Sequence, residues 1–202
     1  MANVYIAIPS RSHWSPHFGM SLIQAVMNSK PHGICVVNRS SSLVHANRQK
    51  LCEMAMKQDG VTHILFLDDD MSFPPDTIRR LVAHDKPVVA ASYVKRELPI
   101  APLCYGLDDQ PIDSFGKTGI EEVKAVATGC MLINVDVLHG TPLPWFNTAY
   151  VEETGGFQGE DIWFCLAARE HGFGVWVDHD LSLQVRHWGE LGYHFALSSE
   201  AD

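Results

Sequence analysis

The sequence predicts an α/β domain built on a mostly parallel, doubly wound sheet. Three observations predict it. Short apolar runs and helical stretches alternate three times between Val4 and Ala91. Glycine, proline or polar clusters punctuate them. The central apolar run, residues 64–67 (Ile, Leu, Phe, Leu), breaks straight into three carboxylates, Asp68, Asp69 and Asp70. Carboxyl ends of strands are where open α/β sheets bind ligands.

The elements follow in order. Residues 4–8 read as a first strand, ended by Pro9, and a loop over residues 10–16 carries Arg11, His13 and Trp14. Phe18, Leu22 and Val26 are spaced for one buried face of a helix over residues 16–29. Residues 33–37 form a second strand and residues 38–42 a polar loop. A second helix, residues 44–58, carries Leu51, Met54 and Ala55 and stops at Gly60. The central strand and its acids come next. Pro74 and Pro75 suit the first turn of a third helix to residue 84, and a strand at residues 87–91 follows. From Tyr93 the pattern changes. Residues 95–120 are rich in Pro, Gly and Asp and read as loop and short hairpin over one edge. Residues 123–128 and 131–135 read as two strands flanking Gly129. Residues 143–159 read as a loop with Trp145, Phe146, Tyr150 and the pair Gly155-Gly156. A helix over residues 159–171 precedes strands at 175–177 and 183–186, the last ending at His187.

Composition narrows the class. At 202 residues and 46% hydrophobic content the chain builds one domain with a sizeable core. A formal charge of −9, without a basic run, argues against nucleic-acid binding. No apolar stretch reaches the ~18 residues of a transmembrane helix. The opening residues read as an early strand, not a signal peptide. Five scattered cysteines without CxxC spacing fit reduced thiols and a cytoplasmic location. Cys52, Cys130 and Cys165 lie in apolar surroundings and read as small core residues.

Three groups carry candidate chemistry. Adjacent like charges add nothing to a core, so Asp68, Asp69 and Asp70 suggest a hard divalent cation, Mg²⁺ or Mn²⁺, against the alternative of a solvated acidic turn. The spacing D-x-D, Asp68 and Asp70, also occurs in haloacid-dehalogenase-like phosphatases, with the first Asp as nucleophile. Gly159-Glu160-Asp161 places two acids at a helix start, which the macrodipole favours by itself. The glycines before them permit close approach of another molecule, and an ionised Asp there suits a general base. His187 between Arg186 and Trp188 is either structural or a ligand.

These segments, residues 63–96 around the acid triplet, residues 126–138 around Gly129 and residues 155–189 around Glu160-Asp161 and His187, resemble GT-A-fold glycosyltransferases. They are most similar to the family-2-like enzymes of bacteria and their phages. The resemblance covers most of residues 1–189, leaving residues 190–202 as a C-terminal tail. It implies a GT-A, Rossmann-like mostly parallel doubly wound sheet with a small antiparallel extension. Pro9, Ser10 and Arg11 match the nucleotide-contacting loop, with Arg11 and Ser12 standing where the family has an aromatic residue and Asn. Arg48 resembles the family's nucleotide-holding Arg. Asp68 and Asp69 fall at the nucleotide, and Asp68, Asp70 and His187 at the metal. Gly129 and Gly159 match positions near donor sugar and acceptor. Asp161, with Glu160, matches the catalytic base of inverting members.

The function implied is metal-dependent transfer of a sugar from a nucleoside diphosphate sugar, UDP-sugar first, to an acceptor hydroxyl, with inversion. Lys95 and Arg96 either add positive charge near the phosphates or form a solvated pair. Trp145, Phe146 and Tyr150 either stack on an acceptor sugar or pack under the loop. The alternatives are the phosphatase and a nucleotide-sugar-binding module without catalysis.

Overall fold

In the computed structural model, residues 1–11, 13–96, 99–152 and 155–189 are described, together with the backbone of residues 192–193. β1 (Asn3–Ser10) is buried at every position after Asn3. It lies between two parallel neighbours, which explains its unbroken apolar character. α1 (Pro16–Met27) starts at Ser15, whose hydroxyl accepts from the Phe18 N–H at 3.2 Å, with proline in the first turn. β2 (Gly33–Ser40) and α2 (Val44–Ala55) follow. β3 (His63–Leu67) leads through the acids into the short β4 (Met71–Ser72), then α3 (Thr77–Ala83) and β5 (Val88–Ala90).

The second half contributes β6 (Cys104–Tyr105), β7 (Ile120–Val123), β8 (Ala125–Val126), β9 (Cys130–Asn134) and α4 (Val135–Gly140). The hairpin β10 (Ala149–Val151) and β11 (Gly156–Gln158) runs into α5 (Glu160–Glu170). β12 (Val175–Asp178), α6 (His179–Ser182), β13 (Arg186–Trp188) and β14 (Gly192–Tyr193) complete the described chain.

Seven strands form the central sheet in the order β2-β1-β3-β9-β5-β12-β7. β2, β1, β3, β5 and β12 run one way; β9 is antiparallel to β3 and β5, and β7 to β12. α2, α4 and α5 bury Leu51, Val137 and Phe164 against one face. α1, α3 and α6 bury Phe18, Ile78 and Leu181 against the other. This is the mostly parallel, doubly wound sheet with antiparallel additions.

Four local expectations differ from the structure. Residues 38–40 are strand, not loop, because β1 continues beside them to Ser10 and Asn38 donates to the Ile8 carbonyl at 3.0 Å. Residues 123–128 are not one strand, because β7 ends at Val123 and β8 covers only Ala125–Val126. Cys130, Met131, Leu132 and Ile133 are buried on both faces, and β9 inserts between β3 and β5. Residues 143–159 contain the β10–β11 hairpin. Residues 183–186 are not a strand up to Arg186. Asp178 caps α6 by accepting from the Leu181 N–H at 2.7 Å, so the chain winds before β13 begins. Of the tail, only the backbone of β14 is described; it pairs with β13, and residues 194–202 lie outside the described residues.

Candidate active site

The carboxyl ends of β1 and β3 and the start of α5 meet at a cleft of about 490 Å³, a size that suits one small ligand. Pro9, Ser10, Arg11, Arg48, Asp68, Asp69, Asp70, Arg96, Glu160, Asp161 and His187 line it. Residues from six separate stretches of sequence are thus brought to one place.

The Pro9–Arg11 end of β1 is held from below. Asn38 donates to the Ser10 hydroxyl at 2.6 Å, and so does the Trp14 indole at 3.1 Å. Asn47 donates to the Arg39 carbonyl and accepts from the Arg39 guanidinium, both at 2.8 Å, which ties α2 to β2 under the cleft.

Arg48 joins the two acidic groups. Its Nη2 lies 2.9 Å from Asp68 Oδ1 and donates to Oδ2 at 3.0 Å; its Nε donates to Glu160 Oε1 at 3.3 Å. The guanidinium also lies over the Phe66 ring, 5.4 Å from its centroid. Burial works against its charge, but Asp68 and Glu160 outweigh that, and its pKa is raised. Glu160 is therefore an ion-pair partner of Arg48. Asp68 Oδ1 and Arg48 Nη1 are buried and make no further hydrogen bond.

Asp70 faces the other way. Its Oδ2 lies 2.8 Å from Arg96 Nη1 in an ion pair and 3.5 Å from His187 Nε2. Burial pushes its carboxyl up; His187 and Arg96 outweigh this and hold it below the usual range. The far nitrogen of His187, Nδ1, lies 3.0 Å from the Val94 carbonyl. A carbonyl only accepts, so Nδ1 carries a proton there, and Nε2 is the ring atom that faces Asp70. Among the described residues no three His, Cys, Asp or Glu side chains converge as a metal-binding group. Of the three expected metal ligands, Asp68 is paired with Arg48 and Asp70 with Arg96. Asp70 and His187, side by side, are the residues that could hold a hard cation.

His187 is held firmly. β13 pairs with β4, the Trp188 N–H donates to the Asp70 carbonyl at 2.7 Å, and the Trp188 indole donates to the Ser72 hydroxyl at 2.8 Å. The Trp188 ring stacks on His17 at 3.6 Å.

Asp161 sits in the first turn of α5 and its Oδ1 accepts from its neighbour's Ile162 N–H at 2.8 Å. Burial, then the charge of Glu160, raise its pKa. The helix start alone would favour the ionised form; desolvation outweighs it. Asp69 is raised as well, by burial first.

Four sequence candidates lie outside the cleft lining. Gly129 seats Tyr93: it donates its N–H to the Tyr93 hydroxyl at 3.1 Å, and its carbonyl accepts from the Asp68 N–H at 3.0 Å. Gly159 leaves room for the Asp161 carboxylate, whose Oδ1 would lie 2.8 Å from any Cβ placed there. Lys95 pairs its backbone with Ala101. Trp145 is a correction. It is buried, and its indole donates to the Leu138 and Thr141 carbonyls at 3.1 and 3.0 Å. Phe146 is buried too, stacked on Phe164 at 4.9 Å. Neither ring is free to stack on a sugar. The sequence reading missed Tyr93 and Asn47; Asn47 had a local signal in its place beside Arg48, and Tyr93 had none.

The fold and cleft define a GT-A-like α/β protein with a nucleotide-sized site at the sheet's carboxyl edge. Neither a protein-family model nor a curated protein sequence matches the chain. Among solved structures it is similar to A197 from STIV, at 17% identity over 93% of this chain and 86% of that one, with a TM-score of 0.63. A looser likeness joins it to S. aureus TarS 1-349 in complex with UDP-GlcNAc, at 12% identity over 96% of this chain and 60% of that one, with a TM-score of 0.49. The glycosyltransferase involved in glycosylation of the major capsid of PBCV-1 matches at 12% identity over 68% of this chain and 62% of that one, with a TM-score of 0.39. The chain thus spans less than two thirds of the latter two proteins. At such identities the likeness is one of fold. No described helix is long and apolar enough to cross a membrane.

Proposed function

We propose that the chain is a glycosyltransferase that moves a sugar from a nucleoside diphosphate sugar, a UDP-sugar first, to an acceptor hydroxyl with inversion. The observation that carries this reading is the single cleft that gathers the β1 end, Arg48, Asp70 with His187, and Asp161. Five carboxylates and three guanidiniums line it. A diphosphate entering so acidic a cleft needs added positive charge. Asp70 and His187 would hold a divalent cation, Mn²⁺ or Mg²⁺, and when bound it would neutralise charge on the leaving diphosphate.

The chain's own residues do the rest. Pro9 to Arg11 form the wall for the nucleoside. Arg48 holds Asp68 and Glu160 apart from the phosphates and fixes the start of α5. Asp161 accepts the proton of the acceptor hydroxyl as that oxygen bonds to the anomeric carbon. The carbon–oxygen bond to the diphosphate breaks with its electron pair on the leaving group. General-base help of this kind contributes roughly 10²–10⁴-fold. A raised Asp161 pKa improves it as a proton acceptor, provided the solution is above that pKa.

The phosphatase alternative needs Asp68 as nucleophile. The ion pair of Asp68 with the buried Arg48 disfavours it. The test is to incubate the protein with Mn²⁺ and a panel of nucleotide sugars and measure nucleoside diphosphate release. Asp70→Asn is expected to abolish metal-dependent nucleotide binding. Asp161→Asn is expected to keep binding and lose turnover. Nucleotide-sugar binding without release by the unaltered protein would favour the binding module, and phosphate release from phosphomonoesters the phosphatase.

A further inference from the structure

Two aromatic rings stand in solvent beside the catalytic edge. Tyr150 on β10 and Phe157 on β11 are direct cross-strand partners, with ring centroids 5.4 Å apart at an interplanar angle of 71°. They are 58% and 78% exposed. Phe157 is the more exposed, although phenylalanine has no polar tip to justify contact with water. β10 and β11 pair only with each other among the described residues. The pair therefore is not the flank of a larger core. It has the geometry of a platform.

Its position says what it is for. β11 ends at Gln158, and Gly159 alone separates it from α5, which opens with Glu160 and Asp161. Four residue steps part Phe157 from Asp161, so their Cα atoms lie within about 14 Å of each other. An oligosaccharide lying on the rings is long enough to span that separation. The surrounding charge narrows the class. The ionisable side chains nearest in sequence are Glu152, Glu153, Glu160 and Asp161, all acidic, and the whole chain carries −9. Phosphodiester and acidic-glycan acceptors are repelled there. The face of a neutral pyranose, with its weakly positive C–H groups, complements the negative faces of aromatic rings. The Tyr150 hydroxyl, on one of the two rings, can bond its hydroxyls.

We propose that Tyr150 and Phe157 form an acceptor subsite for a neutral glycan, stacked so that a hydroxyl is presented to Asp161. This rests on the glycosyltransferase reading for the role of the site, but binding itself is measured without any donor. The test uses saturation-transfer NMR on the full chain with methyl β-glucoside, methyl β-galactoside and methyl α-rhamnoside, and with a short thymidine oligonucleotide as the charged competitor. We expect at least one glycoside to bind and the oligonucleotide not to displace it. Phe157→Ala is expected to weaken that glycoside about tenfold, the size of one lost stacking contact. Phe157→Trp restores it. Both side chains are exposed, so circular dichroism and melting of the variants are expected to match the parent. Glycoside binding unchanged in Phe157→Ala, no glycoside bound by the parent, or displacement by the oligonucleotide would each overturn the proposal. Donor release by the parent without glycoside is read separately. Its absence counts against the transferase reading and leaves the binding result standing.

Discussion

Gly129→Ala is the sharpest probe of how the cleft is built. A Cβ at Gly129 would lie 2.5 Å from the Tyr93 hydroxyl oxygen, 2.8 Å from Cζ and 2.9 Å from Cε1. No real Cβ sits so close, and Tyr93 is buried, with its ring edge-on to His187 at 4.9 Å. The ring must move or the Gly129 backbone must. Either way the Gly129 N–H loses the hydroxyl that it donates to, and the carbonyl that holds the Asp68 N–H shifts. Overpacking costs about 1–3 kcal/mol and the lost hydrogen bond about 1 kcal/mol, while alanine recovers about 0.4–1 kcal/mol from the unfolded chain. The net loss is about 1–3 kcal/mol, which lowers Tm by several degrees in a chain of this length. Urea unfolding measures the first quantity, and calorimetric titration with UDP and Mn²⁺ the second, because displaced Tyr93 and Asp68 both line the cleft. Tyr93→Phe removes the nearest clashing atom and leaves two, so the double variant recovers only part of the loss. A Gly129→Ala protein with parental stability and parental UDP affinity would refute the packing argument.

Asp161 has a raised pKa in the fold, so the folded protein holds that proton more tightly than the unfolded chain does. The stability this contributes is present below the ordinary value of 3.8 and is lost as pH rises through the folded value; near neutral pH the ionised group is a cost. Asp161→Asn is therefore expected to melt higher than the parent at neutral pH, in a thermal scan, while turnover disappears. The acidic limb of the transfer rate is expected above the usual aspartate range, and Glu160→Gln is expected to move it to lower pH because one raising charge is gone. His187→Ala is expected to remove the Mn²⁺ dependence of UDP binding, read by calorimetry with and without the ion. Trp145→Phe loses both indole hydrogen bonds and part of the ring, and urea unfolding is expected to show a loss of about 1–3 kcal/mol with acceptor kinetics unchanged.

The legible and illegible parts of this chain divide along physical lines. The run from Ile64 to Leu67 announces a buried strand, and three carboxylates after it announce a site, because burial and charge repulsion act over a few residues. Pro16 stands at a helix start for the same reason, through a fixed backbone angle. What a residue does across the sheet is not written beside it. The apolar residues 130–133 showed a strand, but its insertion between β3 and β5 depends on partners more than 40 positions away along the chain. Trp145 shows the limit most clearly. An aromatic in a loop looks available to a sugar until Gln49, on another element, accepts from its backbone N–H at 3.0 Å and the Leu138 and Thr141 carbonyls take its indole. The converse holds for Phe157, which reads as an ordinary loop residue and turns out to be 78% exposed on β11. Which aromatic is buried is settled by whether a packed layer receives it, and Phe146 goes in without any polar partner. The Trp145 indole nitrogen is satisfied inside, so that ring goes in too. Phe157 has nothing to satisfy and no packed layer to enter, because its hairpin joins no other sheet. A ring in that position lowers its free energy when an apolar face covers it, and the proposed acceptor sugar would supply that face.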